Sequence, residues 1–128
     1  MQLLLDTHTL LWWLDGDASL SLSAREAIAE EDNDVFLSAA SAWEITTKYR
    51  LGKLPGAAAV AKDVVGCLAS QGFLELPITL LHGQTAGALP GPHRDPFDRM
   101  LIAQAMIERL ILVSNEVAFD AYGVQRLW

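Results

Sequence analysis

Four acids are set apart from the rest of the chain by what precedes them. Asp6 ends the apolar run Leu3-Leu4-Leu5. Glu44 closes Ser41-Ala-Trp-Glu44, a few residues after the apolar run Val35-Phe36-Leu37. Asp98 closes Asp95-Pro-Phe-Asp98, and Glu116 comes three residues after Val113. Carboxylates gathered from four distant stretches repel one another and raise one another's pKa. Hard divalent cations relieve this, and Mg2+ or Mn2+ prefer carboxylate and water oxygens to nitrogen or sulfur. Two such ions held about 3.5–4 Å apart activate a water and stabilise the leaving oxygen of a phosphodiester. Metal-assisted phosphodiester hydrolysis is the reaction class these residues favour.

Whether the acids meet depends on the elements that carry them. Short apolar runs alternate with amphipathic stretches, the pattern of β-α units around a parallel sheet. Strands are predicted at Leu3–Leu5, Val35–Leu37, Phe73–Leu76 and Leu110–Val113, with Val124 a candidate for a fifth. Helices are predicted over Thr7–Leu14, Ser23–Glu31, Ala42–Leu51, Ala57–Leu68, Thr79–Leu89 and Pro96–Glu108. The fold class is therefore α/β, a three-layer α/β/α sandwich with a central, mainly parallel sheet of four to five strands. In such a sheet the crossover helices start near the carboxyl edge of the strands, where ligands bind. All four acids are predicted to fall at that edge.

Each acid also has a purely structural reading. Asp6 can cap the helix that begins at Thr7, and Ser41 with Glu44 forms a formal capping box. Asp95, Pro96 and Asp98 fit the cap, N1 and N3 positions of one helix. Glu116 can favour the positive end of a short helix. Capping does not explain why a buried strand should end in Asp6, and a carboxylate fixed by backbone amides is already oriented for a metal.

Composition narrows the frame. The 128 residues, 52% apolar, suit a single domain spanning 1–128. The net charge of −7 excludes a protein that coats phosphates with basic residues, but not one that borrows its cations from bound metal. Cys67 is the only cysteine, which excludes an internal disulfide or a cysteine-built zinc site and points to a reducing cytoplasm. No signal peptide is expected after Met1, and the longest uncharged stretch, Leu76–His93, is broken by prolines and glycines, so no membrane span is expected.

The residues quoted above, together with Asp6-Thr-His-Thr, Gly52-Lys-Leu, His93-Arg-Asp-Pro-Phe-Asp98-Arg-Met-Leu-Ile-Ala-Gln-Ala and Leu112-Val-Ser-Asn-Glu116, resemble the PIN-domain ribonucleases. The similarity is greatest to the VapC-type toxins of prokaryotic toxin–antitoxin modules. It spans essentially the whole chain, and His-x-Asp-Pro-Phe-Asp-Arg is its specific part. The resemblance implies Mg2+- or Mn2+-dependent cleavage of single-stranded or loop RNA, neutralisation by a cognate antitoxin protein, and a homodimer. It carries the acid quartet onto Asp6, Glu44, Asp98 and Glu116. The last position is usually Asp in that family, and the longer Glu either keeps a water-mediated metal contact or weakens a second site.

Around the quartet, Thr7 is assigned to a ligand carboxylate or a phosphate, Asp95 to a helix cap and accessory role, and Ser114 and Asn115 to positioning Glu116 or a phosphate, with helix capping as the alternative. Lys48 and Arg94, with Arg50 and Lys53, are weak candidates for guiding RNA. Arg99 is expected to pair with an acid. His8 and His93 lack metal-ligand partners at helical spacing and are expected at the surface or behind the ligands. Trp12 and Trp13 cannot both face inward on one helix, so one of them is expected at an interface.

Two other functions fit parts of the sequence. A phosphatase with an aspartyl nucleophile is suggested by Asp6 followed by Thr9, but His8 stands where a second acid would serve as general acid. A catalytically degenerate PIN domain, binding RNA or protein only, is made possible by Glu116.

Overall fold

The computed structural model describes residues Met1–Trp128. Five strands form one sheet: β1 (Gln2–Leu5), β2 (Asp34–Ser38), β3 (Leu74–Leu76), β4 (Ile111–Val113) and β5 (Arg126–Leu127). Their order is β3-β2-β1-β4-β5 and every pairing is parallel. The central position of β1 explains its composition. A strand with packing on both faces reads as a continuous apolar run rather than an alternation, and Leu3, Leu4 and Leu5 are all fully buried.

Successive residues of β1 point to opposite faces and enter two separate cores. Leu3 and Leu5 pack with Val35, Leu37, Ile45 and Val113 on one side. Leu4 packs with Leu101, Ile102, Leu112 and Phe119 on the other. Seven α-helices cover these faces: α1 (Thr7–Asp15), α2 (Leu22–Ala29), α3 (Ala39–Arg50), α4 (Ala58–Lys62), α5 (Val64–Gln71), α6 (Leu80–Ala88) and α7 (Pro96–Glu108). The three-layer α/β/α sandwich is thus observed, with five strands and no antiparallel member.

Three local differences from the sequence reading have physical causes. Helix α3 begins at Ala39 rather than Ala42, because the Ser38 hydroxyl accepts the Ala40 amide and caps it there. Ser41 and Glu44 therefore form no capping box and lie inside the helix, both buried. The helix expected over Ala57–Leu68 is two helices. The backbone leaves helical geometry at Asp63 (φ −155°, ψ 77°), whose carboxylate caps α5 at the Gly66 amide. The fifth strand lies at Arg126–Leu127 rather than at Val124, which packs against the core behind β4.

The tryptophans also differ from expectation. Trp12 and Trp13 are both partly buried against the first core, Trp12 beside Trp128 and Trp13 beside Phe73, where its indole N–H donates to Gln71. The exposed one is Trp43, at 62%.

Leu101 is fully buried and Leu22 is 70% exposed. Leu101→Ala is expected to cost about 2–5 kcal/mol, and Leu22→Ala less than about 0.5 kcal/mol, as read from urea unfolding midpoints at constant slope.

Candidate active site at the carboxyl edge

Asp6 leaves β1 at the carboxyl edge of the sheet. Its backbone stays in register, with the amide donating to Val113 O at 3.1 Å. It occupies the N-cap position of α1, yet its carboxylate makes no capping hydrogen bond. Instead Oδ2 accepts the Ser114 hydroxyl, at 2.6 Å, from the end of β4. Both groups are buried. Ser114 also receives the Glu116 amide at 3.0 Å, and the Arg126 guanidinium, itself bonded through two nitrogens to Asp120, donates to the Ser114 carbonyl at 3.0 Å. The turn after β4 is thereby fixed to the end of β1.

The second acid is held from the same starting point. Thr7 Oγ1 lies 2.6 Å from Glu44 Oε1 and 3.0 Å from Ser41 Oγ. Thr7 has one proton to give; it goes to the carboxylate, so the Ser41 hydroxyl donates in turn to Thr7. The other Glu44 oxygen accepts the Lys48 ammonium one helical turn on. Both oxygens of Glu44 thus have partners, although the side chain is buried.

Asp98 arrives on the first turn of α7. Asp95 caps that helix through the Phe97 amide at 2.9 Å and the Asp98 amide at 3.3 Å, with Pro96 at N1. Asp98 Oδ2 accepts His93 Nε2 at 2.9 Å, and the His93 ring lies edge-on to the fully buried Phe119. The loop that delivers His93 depends on Gly91, at φ +100°. A Cβ there would come within 2.9 Å of the Tyr122 hydroxyl, which accepts the His93 amide. Arg99 holds the same loop. It donates to the carbonyls of Ala86, Leu89 and His93 and pairs with no acid, contrary to the sequence expectation.

The electrostatics show that these acids share one neighbourhood. Burial pushes the Asp98 carboxyl up to about 7, with the charges of Asp95 and Asp6 adding to it and His93 opposing. Burial also raises Asp6; the Ser114 hydroxyl and nearby His8 oppose this, while Glu44 adds to it. Lys48 is the local counter-ion. Partial burial would lower it, but the Glu44 bond and the charges of Glu44, Asp95 and Asp98 hold it above its ordinary range.

The donor set fits a hard divalent ion: carboxylates largely withdrawn from water, two of them driven toward neutrality first by burial and then by neighbouring carboxylates. No side-chain donor occupies Oδ1 of Asp6 or Oδ1 of Asp98. As the side chains are oriented, no three His, Cys, Asp or Glu stand close enough together to hold a metal ion.

The sequence matches the PIN domain family over residues 3–125. The chain belongs to that family. Among solved structures, this PIN domain resembles a chain of VapBC2 from Rickettsia felis bound to a DNA fragment from its promoter (16% identity, TM-score 0.72, 98% of this chain and 97% of that one). It resembles a chain of VapBC-1 from nontypeable Haemophilus influenzae (13%, TM-score 0.64, 98% and 96%) and one of FitAcB from Neisseria gonorrhoeae (21%, TM-score 0.59, 98% and 96%). At these identities the likeness is one of fold. No curated protein matches the sequence.

The remaining candidates occupy different positions around this PIN-domain edge. Glu116 is exposed, as are Asn115, which makes no side-chain hydrogen bond, and Arg94. Thr9 is spent on the Val113 carbonyl at 2.8 Å, so the phosphatase-like spacing presents no free hydroxyl. Gly91 and Tyr122 carry no site signal in the sequence. Ser41 was assigned to a cap, and Tyr122 lies 29 residues from the amide it receives.

A carboxyl raised in the fold binds more protons folded than unfolded, so its contribution to stability falls as pH climbs from the ordinary value, 3.8, through about 7. In EDTA, Asp98→Asn is therefore expected to melt above the wild type at pH 8 and close to it at pH 4.5, as read by thermal denaturation.

Proposed function

We propose that this PIN domain is a Mg2+- or Mn2+-dependent endoribonuclease and the toxin of a toxin–antitoxin module. The observation that carries the reading is the meeting of buried Asp6 and Glu44 with half-buried Asp98, from three separate elements, with the Asp6 and Asp98 carboxyls raised. The toxin assignment is supported by the PIN family match and by a fold shared with chains of toxin–antitoxin complexes. A cognate antitoxin, a homodimer and a cytoplasmic setting belong to the same proposal. No helix is long and apolar enough to cross a membrane.

In this reading Asp6 and Asp98 would hold the ion, with Glu44 and Glu116 completing the acidic ring. Bound there, Mg2+ or Mn2+ would supply an activated water and charge stabilisation for the leaving oxygen. His93 and Ser114 keep the two aspartates from turning away, each by a bond to Oδ2. Thr7 and Lys48 hold Glu44 in line. Exposed Arg94, two residues after Pro92 on the loop before α7, is placed to steer a polyanion toward an otherwise acidic edge.

A second reading, a catalytically degenerate PIN domain that binds RNA or protein, is favoured by the exposure of Glu116 and by the absence of a preformed ligand cluster.

Cleavage of a single-stranded RNA in Mn2+, abolished by EDTA, is the outcome expected of the nuclease. Asp6→Asn and Asp98→Asn should each lower it on the order of 100-fold or more, Glu116→Ala should lower it less, and Glu116→Asp should preserve it. Mn2+ should also raise the melting temperature of the wild type but not of Asp98→Asn, following its saturation. Cleavage that survives in Asp98→Asn, or an unchanged melting temperature in Mn2+, would leave the degenerate reading in its place.

A further inference from the structure

The residue before Glu44 and the residue before Asp98 are both aromatic, and they meet. Trp43 and Phe97 lie with ring centroids 5.0 Å apart at 73°. Their chain neighbours face into the site, Glu44 being 4% exposed, while Trp43 faces outward at 62%. Lys48, bonded to Glu44, also stands 6.0 Å from the Phe97 ring centre. The aromatic pair therefore shares its backbone and its one cation with the acid cluster.

Beside the pair lies a groove of about 240 Å3 between α3, α6 and α7, with Trp43, Phe97 and Ile78 as walls and Gly83, Ala86 and Gly87 among its lining. That is below the range of drug-sized ligand pockets, about 300–1,000 Å3, and suits one flat ring system. Its charge is the informative part. In a chain with 16 acids the groove is lined by none; Arg99 is its only charged residue. A strand of nucleic acid crossing the acidic edge would find here a neutral to basic, apolar recess one residue from the acids.

We infer that Trp43 and Phe97 form a stacking platform for one unpaired nucleobase of the RNA strand, next to the phosphate presented to Asp6 and Asp98. This rests on the nuclease reading and adds to it a binding subsite. The physical reason is that an aromatic face stacks on any base whose own face is free, and in a duplex both faces are covered by neighbouring pairs. The platform selects for local single-strandedness and not for base identity, since the one charged side chain of its lining, Arg99, is engaged by the carbonyls of Ala86, Leu89 and His93.

The test uses the intact protein with a short fluorescein-labelled single-stranded oligoribonucleotide of mixed sequence and the corresponding perfect duplex. In EDTA, where nothing is hydrolysed, Trp43→Ala should weaken single-strand binding roughly five- to hundred-fold, while Trp43→Phe keeps most of it. The wild type should show tryptophan quenching on binding the single strand that Trp43→Phe lacks and that the duplex does not produce. In Mn2+, Trp43→Ala should raise KM with little change in kcat, the pattern of lost uniform binding. Wild-type cleavage combined with unchanged binding and KM in Trp43→Ala would overturn the platform and leave the nuclease reading standing. A wild type that neither binds nor cleaves RNA would overturn both. A change of oligomeric state in Trp43→Ala and Trp43→Phe alike, seen by light scattering, would overturn the platform by making the face a protein interface.

Discussion

Like charges held together out of water are the constraint on which this molecule is arranged. Asp6, Glu44 and Asp98 approach one another at the carboxyl edge, and each loses hydration in doing so. The cost is visible in Asp98, pushed up to about 7, and in the raised Asp6. Nearly every polar device at that edge answers it. Ser114 and His93 each donate to one aspartate oxygen, Thr7 and Lys48 divide the two oxygens of Glu44, and Arg126 and Tyr122 fix the residues that do the donating. The protein stabilises the cluster without neutralising it.

That arrangement can stand only on a rigid base. The central strand has cores on both faces, so its end cannot shift without disturbing two packed layers at once. The carboxylates are placed by the terminus of β1, the second turn of α3 and the first turn of α7, all rooted in those layers. The loop from Gly91 to His93 has no such root of its own, and Arg99 and Tyr122 substitute for one by bonding its backbone.

How much of this was legible in the sequence follows from what each feature depends on. Asp6 was legible because the apolar run and the acid that ends it are adjacent in the chain, and Asp95-Pro96-Phe97-Asp98 because a cap and its helix are equally local. The parallel sheet followed from the same local runs, repeated. The helix break at Asp63 was not, since one acid in an otherwise periodic segment fits either a solvent-facing turn or a new cap. The role of Ser41 depended on where α3 begins: with Ser38 as cap, Ser41 lies inside the helix, where its hydroxyl meets Thr7. Lys48 stands four residues from Glu44, a spacing open to inspection, but only burial of the glutamate turns an ordinary surface pair into the cation of the site. Gly91 and Tyr122 meet across the fold and left no local trace.

The hydrogen bond from Ser114 to Asp6 spans 108 residues and that from Thr9 to Val113 spans 104. Both cross the junction between the first strand and the fourth. Contacts so distant along the chain are slow to form, because the closure entropy falls due before the reward. The Ser114 bond to Asp6 therefore carries a larger closure cost than the Thr7 bond to Glu44, which spans 37 residues. Separating β4 from β1 would leave Asp6 without its Ser114 partner and Thr9 without the Val113 carbonyl. The edge that carries the acids is thus closed only by joining the two ends of the chain.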